Sequence, residues 1–289
     1  MSYIDAFYDK SRDIVKVVER VNGERIFVDY KPEYNFYVAD PKGNFTSIYG
    51  EKVIEIKCKS FKEFRKNVSI NNHNKKYESD IRPINKTIAK HYLGAEQPVL
   101  QTAFFDIEVD FDPDRGYSTP EDAFMEITSV GVYLQWMEAM VCLAVPPKTL
   151  SWGQAQQIGN KMPEVVLFKT EKEMLQTFLE LITDADILSG WNSEGYDIPY
   201  IVNRITKVLG KAETRKLCLF DQFPRHRTFE AYGGERETYD LTGRVHLDYM
   251  QLYRKYNYEE RHSYRLDFIG EMEVGERAGA PGDPLLHIG

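Results

Sequence analysis

The sequence predicts an α/β chain, α+β overall, in which a β-rich N-terminal domain precedes a mixed sheet flanked by helices. Three observations carry this reading. Residues 1–58 are dense in β-forming residues and broken by turn dipeptides. From residue 101 onward, short apolar runs alternate with amphipathic helical stretches, the pattern of a sheet with helices layered on it. Between the two lies His91–Pro98 (H-Y-L-G-A-E-Q-P), with the composition of a connection. The expected domains are therefore 1–100 and 101–277, followed by a tail at 278–289.

Within the first domain, Ile14–Val21, Asn22-Gly23 and Arg25–Tyr30 read as a hairpin with the strongest short-loop signal. Asn35–Ala39 and Val53–Cys58 read as further strands, with Pro41-Lys42-Gly43-Asn44 as a turn between them. Ser60–Val68 opens on a capping Ser and predicts a short helix. Asn71–Lys76 is a polar loop.

In the second domain, Thr102–Phe105 is a short apolar run and predicts a buried strand, with Asp106 and Glu108 at its end. Phe111–Pro120 contains Pro113, Gly116 and Pro120 and is read as a loop. Phe124–Leu134, Ala139–Val145, Val165–Phe168 and Ile187–Trp191 are read as strands. Trp152–Lys161 fits a helix or a loop. Lys172–Thr183 places Met174, Leu175, Phe178, Leu179 and Ile182 at helical spacing, and Asp197–Leu209 predicts a second helix closed by Gly210. Phe229–Asp240 brackets Tyr232-Gly233-Gly234-Glu235 and predicts a hairpin. Arg244–Leu247 is a strand leading into a helix at Asp248–Lys255.

Composition sets the outer limits. At 289 residues, 42% hydrophobic and 28% charged, the chain fits an ordinary globular protein of two domains. No apolar run approaches the roughly 18 residues of a membrane span, and Met1-Ser-Tyr-Ile-Asp does not open a secretory signal. Cys58, Cys142 and Cys218 are far apart and lack zinc-site spacing, which fits free thiols in a cytoplasm. The net charge of −8 is unevenly placed. Residues 1–100 hold 18 Lys and Arg against 14 Asp and Glu, whereas residues 101–200 hold 5 against 17. An acidic middle beside a basic flank fits a metal-dependent site with nucleic-acid-facing margins, and equally fits a protein that never meets nucleic acid.

The acidic middle contains T-A-F-F-D-I-E-V-D, Thr102–Asp110. Residues i and i+2 of a strand share a face, so Asp106 and Glu108 project side by side while Ile107 turns to the core. Two adjacent carboxylates raise each other's pKa unless a cation lies between them, and hard divalent ions take such oxygen ligands. A lone D-x-E is equally a strand end with two solvated acids. The second informative stretch is Leu188–Arg204, L-S-G-W-N-S-E-G-Y-D-I-P-Y-I-V-N-R. There Asp197 stands at a helix start, where an acid is also an ordinary cap, and Asn192 follows a buried strand, where it is also an ordinary turn residue.

Taken in order, F-D-I-E-V (Phe105–Val109) and G-W-N-S-E-G-Y-D-I-P-Y-I-V-N-R-I (Gly190–Ile205) resemble the first two exonuclease motifs of B-family DNA polymerases of the T-even-like phage and cyanophage type. Val245–Tyr256 and Ser263–Glu271 resemble the same family, and residues 1–100 resemble its β-rich N-terminal domain more loosely. The resemblance implies a ribonuclease-H-like 3′→5′ exonuclease domain holding two divalent ions, Mg²⁺ or Mn²⁺. Asp106 would bridge both ions, Glu108 would bind one and Asp197 would reach the second. It further implies that Asn192, Tyr117, Tyr196, Arg204 and Arg236 meet DNA, that the Phe229–Leu241 hairpin acts where primer and template separate, and that the protein works in the host cytoplasm. The run Arg204–Arg227, with Lys207, Lys211, Arg215, Lys216 and Arg225, is expected as a phosphate-facing edge.

The third exonuclease motif of that family, Y-x3-D, has no counterpart in the sequence, and neither do the polymerase domains. A second polypeptide carrying them is the expected partner, alongside DNA. His262-Ser-Tyr-Arg-Leu-Asp267 spells H-x4-D, the spacing of another exonuclease branch, and makes His262 an alternative base. Ala278–Gly289 resembles nothing in the family and is expected to be unfolded. Two functions compete: a polymerase subunit contributing proofreading carboxylates, and a non-catalytic DNA-binding subunit that scaffolds a separate polymerase chain.

Overall fold

The computed structural model describes residues 2–231 and 234–275. They fall into two compact units divided between Leu100 and Gln101.

In the first unit, β1 (Tyr3–Asp9), β2 (Ile14–Val21) and β3 (Glu24–Tyr30) form an antiparallel three-stranded sheet. Asn22 and Gly23 both take positive φ, 53° and 84°, as the predicted two-residue turn requires. A second sheet runs β5–β6–β4–β7, from β4 (Tyr34–Ala39), β5 (Phe45–Thr46), β6 (Lys52–Cys58) and β7 (Lys76–Tyr77). Helix α1 (Phe61–Ile70) starts where Ser60 accepts a hydrogen bond from the Glu63 amide, and its Phe64 packs on Tyr34, Phe36 and Val38. Helix α2 (Pro83–Tyr92) and β1 are additions to the sequence reading. Helix α2 has no side-chain cap at Arg82, and it gains its place by burying Tyr92 against Val15 and Val17 of β2. Strand β1 interleaves Asp5 and Asp9 among its apolar residues, which weakens its pattern.

The second unit is built on six strands: β8 (Thr102–Val109), β9 (Ile127–Leu134), β10 (Ala139–Ala144), β11 (Val165–Leu167), β12 (Ile187–Gly190) and β15 (Val245–Asp248). Their order is β11–β10–β9–β8–β12–β15. Strands β8, β9 and β10 pair antiparallel, whereas β12 and β15 add parallel to β8, and β11 adds parallel to β10. Helices α3 (Trp152–Gly159), α4 (Glu171–Leu181), α5 (Asp197–Val208), α6 (Tyr249–Tyr256) and α7 (Leu266–Val274), with the hairpin β13 (Arg225–Ala231) and β14 (Gly234–Asp240), complete it. Helix α3 resolves the Trp152–Lys161 ambiguity, because Ser151 and Gln154 form a reciprocal capping box. The core joins Phe105, Ile107, Val130 and Val132 of the sheet to Leu175 and Phe178 of α4 and Ile198 and Ile201 of α5. Three antiparallel strands followed by two parallel ones reached through helices make this a ribonuclease-H-like sheet.

Strand β8 runs on past the apolar residues. It continues through Asp106 and Glu108, which lie within the ladder opposite Gly131 and Ser129 of β9 rather than beyond its end. Pairing with β9 supplies the hydrogen bonds that two acidic residues alone do not predict. The tip of the second hairpin, Tyr232-Gly233, and the 278–289 tail lie outside the described residues. Among the described residues no helix is long and apolar enough to cross a membrane.

Candidate active site

Alternation along β8 sorts its side chains. Ala103, Phe105 and Ile107 are buried in the core, whereas Phe104, Asp106 and Glu108 keep exposed surface on the other face. Although Asp106 retains exposed surface, protein crowds its carboxyl, and this burial together with the charge of Glu108 pushes its pKa up to about 6.

Asp197 arrives from α5. Tyr196 is the cap residue, and Asp197 is the first helical residue rather than the cap itself. Its Oδ1 accepts the Ile107 amide of β8 at 3.2 Å, which sets the carboxyl against the strand between Asp106 and Glu108 in sequence. Burial pushes Asp197 up to about 8, with a further upward push from the charge of Asp106. The Ile107 hydrogen bond pulls the other way. Asp106 is thus the common neighbour of two acids, Glu108 along its own strand and Asp197 across the site.

The turn between β12 and α5 is built for close approach. A Cβ on Gly190 would stand 2.6 Å from the Phe105 carbonyl oxygen and 2.9 Å from the Ser193 Cβ, so only glycine lets the chain pass β8 here. Asn192 takes φ 57°, a left-handed conformation that asparagine tolerates. Asp248, buried at the end of β15, accepts the amides of Asn192 at 3.2 Å and Glu194 at 3.0 Å and caps α6 at Gln251. His246 Nε2 stands 2.9 Å from Ser193 Oγ, and burial pulls its pKa down to about 4. Sequence reasoning missed Asp248 and His246 as supports of the turn. Asp248 at a helix start looks like any capping acid, and its second oxygen serves a segment 54 residues away.

Asn192, Tyr196 and Arg236 line one cleft of about 160 Å³, together with Pro120, Gly195, Phe229 and Gln251. Tyr196 stacks on Tyr200 at 5.5 Å. Its phenol is pushed up to about 12, chiefly by burial and then by Tyr200, Asp197 and Glu108, which places it in the field of the carboxylates. Tyr117 stays outside this group, 83% exposed on the loop after β8, with its ring tilted against Phe111 at 4.9 Å.

Arg204 is not free to meet a phosphate. Its guanidinium forms a two-pronged pair with the buried Glu171, Nε to Oε1 at 2.6 Å and Nη2 to Oε2 at 2.7 Å, and donates to the Ala123 and Phe124 carbonyls. The rest of the expected basic edge differs: Lys207 donates to the Asp122 carbonyl, and Arg215, Lys216 and Arg225 form solvent-exposed pairs with Asp221, Glu213 and Asp240, which are weak enough to be exchanged. A charge pattern in sequence does not reveal which cations are already matched. His262 is exposed between α6 and α7, and no hydrogen bond among the described residues joins it to the three carboxylates; Asp267 lies in the exposed first turn of α7.

The donor chemistry suits a hard divalent cation, with oxygen ligands only and acids whose protons are retained above the ordinary range. Among the described residues, however, no three His, Cys, Asp or Glu side chains stand close enough to share one ion. The arrangement is pairwise, centred on Asp106.

Sheet order and carboxylate placement together define a ribonuclease-H-like domain with an acidic centre on its first strand. Residues 46–269 match the exonuclease domain of DNA polymerase family B, and the chain belongs to that family. It is 34% identical over 128 residues to the DNA-directed DNA polymerase of Escherichia phage RB69 and 28% identical over 125 residues to that of Enterobacteria phage T4. These alignments cover 41% and 40% of this chain and 14% of each phage enzyme. The DNA polymerase delta catalytic subunit of Candida albicans is 33% identical over 128 residues, 42% of this chain and 12% of that subunit.

Proposed function

We propose that this chain supplies metal-binding carboxylates and the 3′-end cleft of a DNA polymerase's 3′→5′ proofreading exonuclease, acting in the host cytoplasm. The observation that carries this is the pairwise approach of Asp106 to Glu108 and to Asp197, beside a cleft lined by Asn192, Tyr196, Phe229 and Arg236. Asp106, Glu108 and Asp197 would hold the divalent ions, Mg²⁺ or Mn²⁺, and the raised pKa values of Asp106 and Asp197 fit acids that await a cation. When bound, such ions activate water and stabilise a leaving oxygen. The chain's own residues do the rest. Tyr196 and Phe229 offer ring faces to unstacked bases, Arg236 offers a guanidinium to a phosphate, and Asn192 orients the terminal nucleotide. Tyr117 contributes from the rim. The third motif and the polymerase domains, carried by further sequence of the same protein or by a second polypeptide, complete the site.

The second reading, a non-catalytic DNA-binding and scaffolding subunit, draws on the lack of three convergent metal donors among the described residues. Digestion of 3′-labelled single-stranded DNA separates the two, using the chain alone and with the complementary polymerase polypeptide, in Mg²⁺ or Mn²⁺. Activity in the assembly that Asp106→Ala abolishes, with synthesis retained, supports the exonuclease. An assembly whose digestion ignores Asp106→Ala and Glu108→Ala sinks it. Activity of the chain alone that Asp106→Ala removes would return His262 to consideration as base.

A further inference from the structure

The hairpin β13–β14 and the turn Gly190–Tyr196 are distant in sequence, yet one guanidinium joins them. Arg227 on β13 pairs with Glu194 of the turn and donates from Nε to Asp240 Oδ1 on β14 at 2.6 Å. Its guanidinium carbon lies 5.4 Å from the centroid of Phe229, the ring that lines the cleft with Asn192 and Tyr196. Burial alone would lower the Arg227 pKa; the hydrogen bonds to Asp240 and Glu194 outweigh it and raise it. On its other side the turn is fixed by Asp248, which holds the Asn192 and Glu194 amides. The backbone of Glu194 therefore belongs to the sheet, while its side chain belongs to the hairpin. A planar guanidinium shared between carboxylates on two elements fixes their spacing and orientation in a way that a point charge does not.

We propose, on the reading of this cleft as a 3′-end site, that Arg227 is a positioning residue coupling the hairpin to the turn that bears Asn192 and leads into Asp197. Nucleic acid seated against Phe229 and Arg236 then also sets the turn, and engagement of the hairpin and alignment of the carboxylate site become one event.

Hydrogen exchange of the full chain, with and without a short oligothymidylate, tests this. In the wild type the oligonucleotide protects amides of the hairpin and of residues 192–196 together. In Arg227→Gln and in the near-isosteric Glu194→Gln, hairpin protection stays while protection of the turn falls about tenfold, the equivalent of one lost charge-assisted hydrogen bond. Arg227→Lys, which keeps one charged donor, recovers part of that loss. Glu237→Gln, which loses an exposed pair to His226 across the hairpin, behaves as wild type. Turn protection that persists in both Gln variants overturns the coupling. An oligonucleotide that protects neither element in the wild type sinks the 3′-end reading instead. The coupling is then decided by exchange without nucleic acid, where Arg227→Gln either accelerates residues 192–196 about tenfold or leaves them unchanged and refutes it.

Discussion

Asp197 lies against the backbone of β8 with a carboxyl that titrates near 8, whereas the ordinary value is 3.8. The folded state therefore takes up a proton that the unfolded chain releases. The stability contributed by this group is full below about pH 4 and is lost as pH rises through 8. In EDTA, the melting temperature is expected to fall between pH 5 and pH 8, and Asp197→Asn to remove much of that slope. At pH 8 the Asn variant should be more stable by about 1–3 kcal/mol, and Mg²⁺ or Mn²⁺ should raise the melting temperature of wild type but not of the variant. Equal slopes for both proteins would refute the assignment. Arg204 makes the opposite case. It is a cation whose partner is already inside the protein, so Arg204→Ala should leave the buried Glu171 without its guanidinium, holding the Ile127 amide, and cost about 3–5 kcal/mol in urea melts. Oligonucleotide affinity of the folded variant should stay near wild type; a selective loss of affinity without loss of stability would restore Arg204 to the DNA surface.

At the scale of elements, the site depends on a glycine and a helix start more than on the helix itself. Gly190→Ala places a methyl group against the Phe105 carbonyl and Ser193, and separates β12 from β8 where Asp197 meets Ile107. A loss of about 1–3 kcal/mol is expected, with weaker Mn²⁺ binding by electron paramagnetic resonance; unchanged metal affinity would show that the carboxylates tolerate the shift. Elements with local signatures were legible in the sequence: the Asn22-Gly23 hairpin, the Ser60 cap of α1, and the apolar spacing of α4. Strand β1 and helix α2 were not, because each is stabilised by distant partners such as Tyr92 on Val15 and Val17. The shared face of Asp106 and Glu108 and the place of Asp197 at a helix start were legible from spacing. The support of the turn by Asp248 and the internal pairing of Arg204 were not, because both depend on contacts between segments far apart in the chain.

At the scale of the whole molecule, the two units each have their own core, and the segment from Leu93 to Val99 between them is exposed at Glu96. A glutamate-specific protease should cut first after Glu96 and leave two fragments that keep their far-ultraviolet circular dichroism. Rapid degradation of either fragment would mean that the units do not stand alone.

The alternation along β8 carries a consequence for how such a site can change over generations. The core face and the acidic face are written on the same eight residues, in opposite phase. Inserting or deleting one residue before Phe105 would send Asp106 and Glu108 inward and the apolar set outward, so the fold would fail with the site. Silencing by substitution remains open, since Asp106→Ala leaves the core face untouched. Descendants of this chain can therefore lose the acids one at a time and keep their shape, but cannot drift there by changes of length.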